Sequence, residues 1–268
     1  MRDHVSLLLA ASTCVALAYL SPSSAAPALA GEPAGPAGTC QRQFLGGPGD
    51  DQIFGDRRDN IICGLRGDDE LFGSQGDDVL RGGRGSDQLV GGFGYDYLDG
   101  GDGGDRIYGD DGADTGSADH AIGGLGDDFL SGAGGADRLE GGSGTDYIDG
   151  GAGNDLITGN ATSDRLLGRP GADTLRSGAG DDRANGNAGR DVVNGGDGDD
   201  RSYGGPGDDT IHGGAGDDIV DGGPGADVIF VSDGVEANDS VRCGDGDDVV
   251  HIDAGDVVES DCETVHQG

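Results

Sequence analysis

From Gly46 to Phe230 the chain repeats one nine-residue unit: glycine, glycine, any residue, glycine, any residue, aspartate, then three residues with an aliphatic centre. Gly204-Gly205-Pro206-Gly207-Asp208-Asp209-Thr210-Ile211-His212 is a clean copy, and Gly213 to Asp221 and Gly222 to Phe230 follow it without a gap. A fixed period of this kind restricts the fold to stacked units that touch only their neighbours. Units start at 46, 55, 64, 73, 82, 91 and 100, then at 109 with five extra residues, then every nine residues from 123 to 222, which makes twenty copies. Position six is aspartate in nineteen copies, with Asn60 the exception, and position one is glycine in nineteen, with Ser177 the exception. Position four is glycine in eighteen, failing at Arg58 and Thr162. Position eight is Ile, Leu or Val in seventeen, failing at Gly116, Ala184 and Ser202. Chance does not produce that agreement.

Strand side chains alternate between faces, so an aliphatic position eight between mixed positions seven and nine predicts a short strand with one inward residue. Each strand should be about three residues long, and two strands on opposite walls make one coil of eighteen residues. About ten such coils, rising roughly 4.8 Å each, predict an all-β parallel β-roll about 50 Å long. The glycines at positions one and four are expected to supply turn conformations closed to residues with a Cβ. They also leave carbonyl oxygens uncovered beside the position-six carboxylate. Calcium takes six to eight oxygen ligands in irregular geometry, so carbonyls plus aspartate point to calcium ions held between one turn and the next on the same side. Asp209 should then share its surroundings with the turns that hold Asp191 and Asp227.

With 60 glycines, no tryptophan and a formal charge of −36, the composition alone would fit an acidic disordered segment. The aliphatic beat at position eight argues against that, at least for the metal-loaded chain. Residues 1–30 read as a secretory signal: Arg2, an apolar run from Val5 to Leu20, and a small-residue cleavage site at Ala30 or Ala26. Export makes disulfides the expected use of Cys40, Cys63, Cys243 and Cys262, although four cysteines allow three pairings. Pairing neighbours would put one bridge at each end of the array, where a repeat stack must be sealed. A zinc site is the alternative. The chain thus divides into the signal (1–30), a linker and N-terminal cap (31–45), the roll (46–230), and degenerate repeats with a C-terminal cap (231–268).

The nonads resemble the RTX, or haemolysin-type calcium-binding, repeats. The resemblance implies a right-handed parallel β-roll that folds only with calcium, in a protein working outside the cell. Carried over copy by copy, it implies metal ligands at Asp51, Asp69, Asp78, Asp87, Asp96, Asp105, Asp114, Asp128, Asp137, Asp146, Asp155, Asp164, Asp173, Asp182, Asp191, Asp200, Asp209, Asp218 and Asp227. Three copies depart from the pattern. Gly55 to Cys63 has Arg58 and Asn60, Gly159 to Leu167 has Thr162, and in the enlarged copy from Gly109 to Ile122 either Asp114 or Asp119 could be the ligand. Beyond Phe230, Asp239 with Val241 and Asp248 with Val250 keep the sixth and eighth places, and Ile252 to Val265 reads as a closing strand or two.

Nothing in the sequence carries catalysis. No His-Glu-x-x-His or Gly-x-Ser-x-Gly occurs, no glycine-rich loop has the lysine of a phosphate cradle, and no glutamate completes an EF-hand. Only about fifteen residues separate the cleavage site from the first copy, and about thirty-eight follow the last, too few for a catalytic domain. So acidic a surface repels nucleic acid, and no membrane span is expected. His120, His212 and His251 read as exposed surface residues. Position-seven arginines such as Arg138, Arg165, Arg183 and Arg201 read as partners of neighbouring aspartates. The expectation is a secreted calcium-binding protein with a structural or interaction role. The alternatives are an adhesin or a module of polysaccharide-modifying activity, with a protein or polysaccharide partner that the sequence does not name.

Overall fold

The computed structural model describes residues 43–112, 116–232 and 238–268. The signal segment, Cys40 and Asp114 lie outside the described residues. Among the described residues every regular element is a strand and none is a helix. Successive strands alternate between two all-parallel sheets, so each chain turn crosses from one wall to the other and back. One sheet has thirteen strands, from Gln43–Leu45 to Thr264–Gln267, and the other twelve, from Gln52–Phe54 to Val257–Val258. The register advances by one coil of eighteen residues: Ile62 pairs with Leu80 and Leu80 with Leu98. The result is the all-β parallel solenoid that the period predicts.

Three details differ from the sequence-based expectation. There are about twelve coils rather than ten, because Gln43–Leu45 adds a strand ahead of the first copy and the degenerate tail keeps coiling. In the tail Val220 pairs with Val241 and Ile229 with Val250, so the spine continues although the turn glycines thin out. Strands are also mostly six residues long, as in Glu70–Gln75, not three. Positions one to three of the next unit go on pairing with their equivalents one coil away, for example Gly83 with Gly101. Finally, in the enlarged copy the next strand begins only at His120, after the strand Arg106–Tyr108. Ala121, not Gly116, is its inward residue, paired with Leu98 and fully buried.

The core is one file of position-eight side chains from each sheet, running from Ile62 to Val250. Burying such a side chain is worth about 1.5–3 kcal/mol, and the file thins at Ala184 and Ser202, which face it at 1% exposure. Outside, rings at positions seven and nine stack rung on rung. Phe129 lies on Tyr147 with centroids 5.3 Å apart, and His212, Phe230 and His251 follow at 4.7 Å steps. The histidines are therefore half-buried members of stacks rather than freely exposed groups, and His120 sits edge-on to Tyr97 and 3.7 Å from Glu140. At the C-terminal end Cys243 and Cys262 form a disulfide that ties the penultimate coils to the closing segment. Cys63 is buried near the opposite end, and its expected partner Cys40 is outside the described residues.

Candidate metal centre

Eighteen-residue coils bring every second position-six residue into one vertical line, so each of the two corners of the roll carries its own ladder. Along one corner the backbone N–H of Asp51 donates to Asp69 Oδ1 at 2.8 Å, Asp69 to Asp87 at 2.8 Å and Asp87 to Asp105 at 2.8 Å. The line continues through Asp128, Asp146, Asp164, Asp182, Asp200, Asp218 and Asp239, and ends where Asp239 donates to Asp256 Oδ1 at 3.3 Å. The other corner runs from Asn60 through Asp78, Asp96, Asp119, Asp137, Asp155, Asp173, Asp191, Asp209 and Asp227 to Asp248. There Glu263 Oε2 accepts the Asp248 N–H at 3.0 Å and closes the line. Asp191, Asp209 and Asp227 are thus neighbours, as the spacing predicts.

These bonds occupy one carboxylate oxygen and leave the other. Oδ2 is buried and accepts no hydrogen bond in Asp69, Asp78, Asp87, Asp96, Asp105, Asp119 and each later ladder member through Asp209, and again in Asp227 and Asp248. A buried anion without a partner is strongly unfavourable. Burial pushes these carboxyls far above the usual range: Asp87 and Asp105 to about 6, Asp78, Asp128 and Asp137 to about 7, and Asp96 and Asp119 to about 8. The N–H bond from the previous coil pulls the other way, and neighbouring carboxylates add to the rise.

The glycines divide their labour differently from the expectation. Positions two and four take the left-handed backbone, as at Gly83 (φ 116°) and Gly85 (φ 129°). Position one does not. It is glycine because the carboxylate of its own unit fills the space: a Cβ on Gly82 would fall 2.2 Å from Asp87 Oδ2 and 2.7 Å from the Gly100 carbonyl oxygen. Position-four carbonyls, meanwhile, point along the roll axis. The Gly67 oxygen lies 2.0 Å from where a Cβ of Gly85 would be, and the Gly85 oxygen 1.7 Å from that of Gly103. Each corner therefore offers stacked carbonyl oxygens beside an inward Oδ2.

This donor set fits calcium, which accepts carbonyl and carboxylate oxygens together and in irregular arrangements. Among the described residues no three His, Cys, Asp or Glu side chains converge in a metal-holding group, so an ion there would need oxygens other than side-chain carboxylates alone. The residues that would hold the ions are the ladder aspartates with the carbonyls of positions one and four.

The departing copies fall into place. In the enlarged unit Asp119 holds the ladder position, accepting the Asp96 N–H at 2.9 Å. Asn60 keeps the ladder bond to Asp78 at 2.7 Å, but its own oxygen accepts the Asp56 N–H at 2.7 Å, so it offers no orphan anion. Asp51 is likewise satisfied by the Gly47 N–H. Thr162 adopts the left-handed backbone (φ 74°) and its hydroxyl donates to the Gly144 carbonyl at 2.6 Å, competing for a carbonyl of the corner stack.

A second ladder was not foreseen. Position-five Asp68 accepts the Ser86 N–H at 2.8 Å and Asp127 the Thr145 N–H at 2.8 Å, in the sense opposite to position six. The sequence signal was the recurrent Asp-Asp doublet at Asp50-Asp51, Asp68-Asp69 and Asp127-Asp128. Position-seven arginines also depart from expectation. Arg138 pairs with Glu140 at 2.6 Å, whereas Arg165, Arg183 and Arg201 make no ion pair among the described residues.

A family model described as the RTX calcium-binding nonapeptide repeat (4 copies) matches residues 45–80, 81–116 and 115–148, and five further overlapping stretches ending at 194–229. No curated protein matches the chain.

Proposed function

The chain belongs to the family of RTX calcium-binding nonapeptide repeat proteins, and on that premise we propose that it is an exported, non-enzymatic rod whose folding is switched on by calcium outside the cell. It is a calcium-binding repeat protein. The observation that carries the rest is the pair of ladders in which buried Oδ2 atoms lack any protein partner. Bound calcium supplies positive charge at those oxygens. The chain's own part is to aim each Oδ2 inward by holding Oδ1 on the previous coil, and to leave room for it with a glycine at position one. Extracellular calcium modules commonly bind at about 0.1–1 mM, which would keep the chain unfolded where calcium is scarce and fold it on export. The amino-terminal apolar run supports export, and no helix among the described residues is long and apolar enough to cross a membrane. The absence of any catalytic motif supports a structural or interaction role.

Far-UV circular dichroism and small-angle scattering during a calcium titration test the reading. Compaction with gain of β signal on adding calcium, reversed by chelator, is the expected result. A chain that stays compact after exhaustive chelation overturns it.

A further inference from the structure

We propose that Asp110, which lies outside the nonad pattern, is an additional calcium ligand, so that the enlarged copy from Gly109 to Ile122 holds the most tightly bound ion of the stack. The backbone marks this residue as exceptional. From Leu65 to Gly223 every position-two residue takes the left-handed conformation except Asp110. Where that conformation carries a large side chain it stands outward, as at Leu65, which is 42% exposed, whereas Asp110 is 4% exposed. The one unit with extra residues thus turns inward a carboxylate for which the repeat itself has no place.

The surroundings of Asp110 are anionic and short of partners. Asp96, Asp119 and Asp137 are consecutive members of the ladder at this corner. They are 0, 1 and 2% exposed, and in each the buried Oδ2 accepts no hydrogen bond. Two of these oxygens are aimed at the backbone that leads into Asp110. A Cβ on Gly109 would fall 2.4 Å from Asp119 Oδ2, and a Cβ on Gly91 would fall 2.3 Å from Asp96 Oδ2 and 2.6 Å from the Gly109 carbonyl oxygen. Burial raises the Asp96 and Asp119 carboxyls to about 8 and that of Asp137 to about 7, and the Asp110 charge adds to the rise in all three.

Buried like charges of this kind call for a cation among them. Calcium affinity follows the number of charged ligands and the rigidity of the site. A regular copy contributes one inward carboxylate, from position six. The enlarged copy contributes two, Asp119 from position six and Asp110 from position two, and two carboxylates match the charge of one calcium ion. Backbone carbonyls, that of Gly109 among them, complete a donor set of the kind calcium accepts.

The inference rests on calcium filling the corners, so total bound metal and circular dichroism are read alongside it. The probe is terbium, a trivalent stand-in for calcium that emits when a nearby tyrosine is excited. The full terbium-loaded chain is stripped with graded chelator while bound metal and tyrosine-sensitised emission are followed. The wild-type chain is expected to keep a last ion after the others have left. That ion should emit through Tyr95, Tyr97 and Tyr108, which adjoin Asp96 and Asp110 in the chain. Y95F/Y97F/Y108F should dim it and Y203F should not. D110N is expected to fold in saturating calcium yet lose this ion together with the rest, whereas D111N, at the exposed neighbour, keeps it. A D110N chain that holds its last ion as wild type does overturns the proposal, as does a last ion indifferent to the three tyrosines. Should D110N fail to fold, the tyrosine variants, which leave every ligand in place, still locate the last ion and decide the matter. Full loading with no distinct last ion overturns this inference alone, and a chain that binds no metal overturns the reading beneath it as well.

Discussion

Asp146 Oδ1 accepts the backbone N–H of Asp128, eighteen residues earlier, at 2.9 Å, while its Oδ2 is buried without a hydrogen-bond partner. One oxygen thus locks two coils together and the other is held ready for a cation. The two roles can be separated by substitution. D146N removes the negative charge while retaining an oxygen for the ladder. We expect it to lose about one to two bound ions, because each carboxylate sits between two turns, and to shift the folding midpoint to higher calcium. N60D should gain affinity at its corner. Calorimetric stoichiometry checks both, and an unchanged ion count in D146N would remove the aspartate from the ligand set.

Position-one glycines should be intolerant for a steric reason. G82A drives a Cβ to 2.2 Å from Asp87 Oδ2, whereas at Gly49 a Cβ meets nothing within 4 Å. We expect G82A to cost about 1–3 kcal/mol and to weaken calcium binding. G49A should be close to neutral. Denaturation in saturating calcium compares the pair.

The pH response should change sign with calcium. Ladder carboxyls titrate near 3.8 when unfolded, and at about 6 for Asp87 and about 8 for Asp96 when folded without metal. A folded value raised this way means that the folded chain binds more protons between those limits. Its stabilising contribution is complete below about 4 and is lost as pH rises through about 6 to 8. The calcium-free chain should therefore compact on acidification and expand toward neutrality. With calcium present protons compete with the ion, so acidification should release it. Scattering at several pH values, with and without chelator, reads both limbs; a calcium-free chain most compact at alkaline pH would contradict the assignment.

Ser202 faces the aliphatic file at 1% exposure, and its Oγ has no hydrogen-bond partner. S202V replaces an unsatisfied hydroxyl by two methyl groups in line with Ala184 and Val220. An increase of about 1–2 kcal/mol in stability is expected, measured as a higher melting temperature at fixed calcium.

Reducing the bond between Cys243 and Cys262, nineteen residues apart, should cost about 3 kcal/mol by releasing the closing segment. Hydrogen exchange should show the loss confined to 240–267, with coils near Leu130 unaffected. Uniform loss of protection would instead make the bridge essential to the whole stack.

Much of this molecule is written in its period. The period of nine, the aspartate at position six and the aliphatic at position eight determine two strands per coil, an inward file from Ile62 to Val250, and the proximity of Asp191, Asp209 and Asp227, because a repeat with one strand per unit can bury its single apolar side chain only by stacking. The sequence also marks Asn60 and Thr162 as odd. It does not reveal why position one is glycine in all copies but the one with Ser177, since the crowding arises only when the carboxylate of the same unit folds back over it. Nor does it decide between Asp114 and Asp119: only the pairing of His120 with Tyr97 across the enlarged turn places Asp119 on the ladder. The opposed direction of the position-five and position-six bonds, and the alignment of Arg165, Arg183 and Arg201 into one unpaired column, belong to the stack itself. They depend on which groups an eighteen-residue coil lays above one another, and that is settled by how far each turn advances rather than by any single unit.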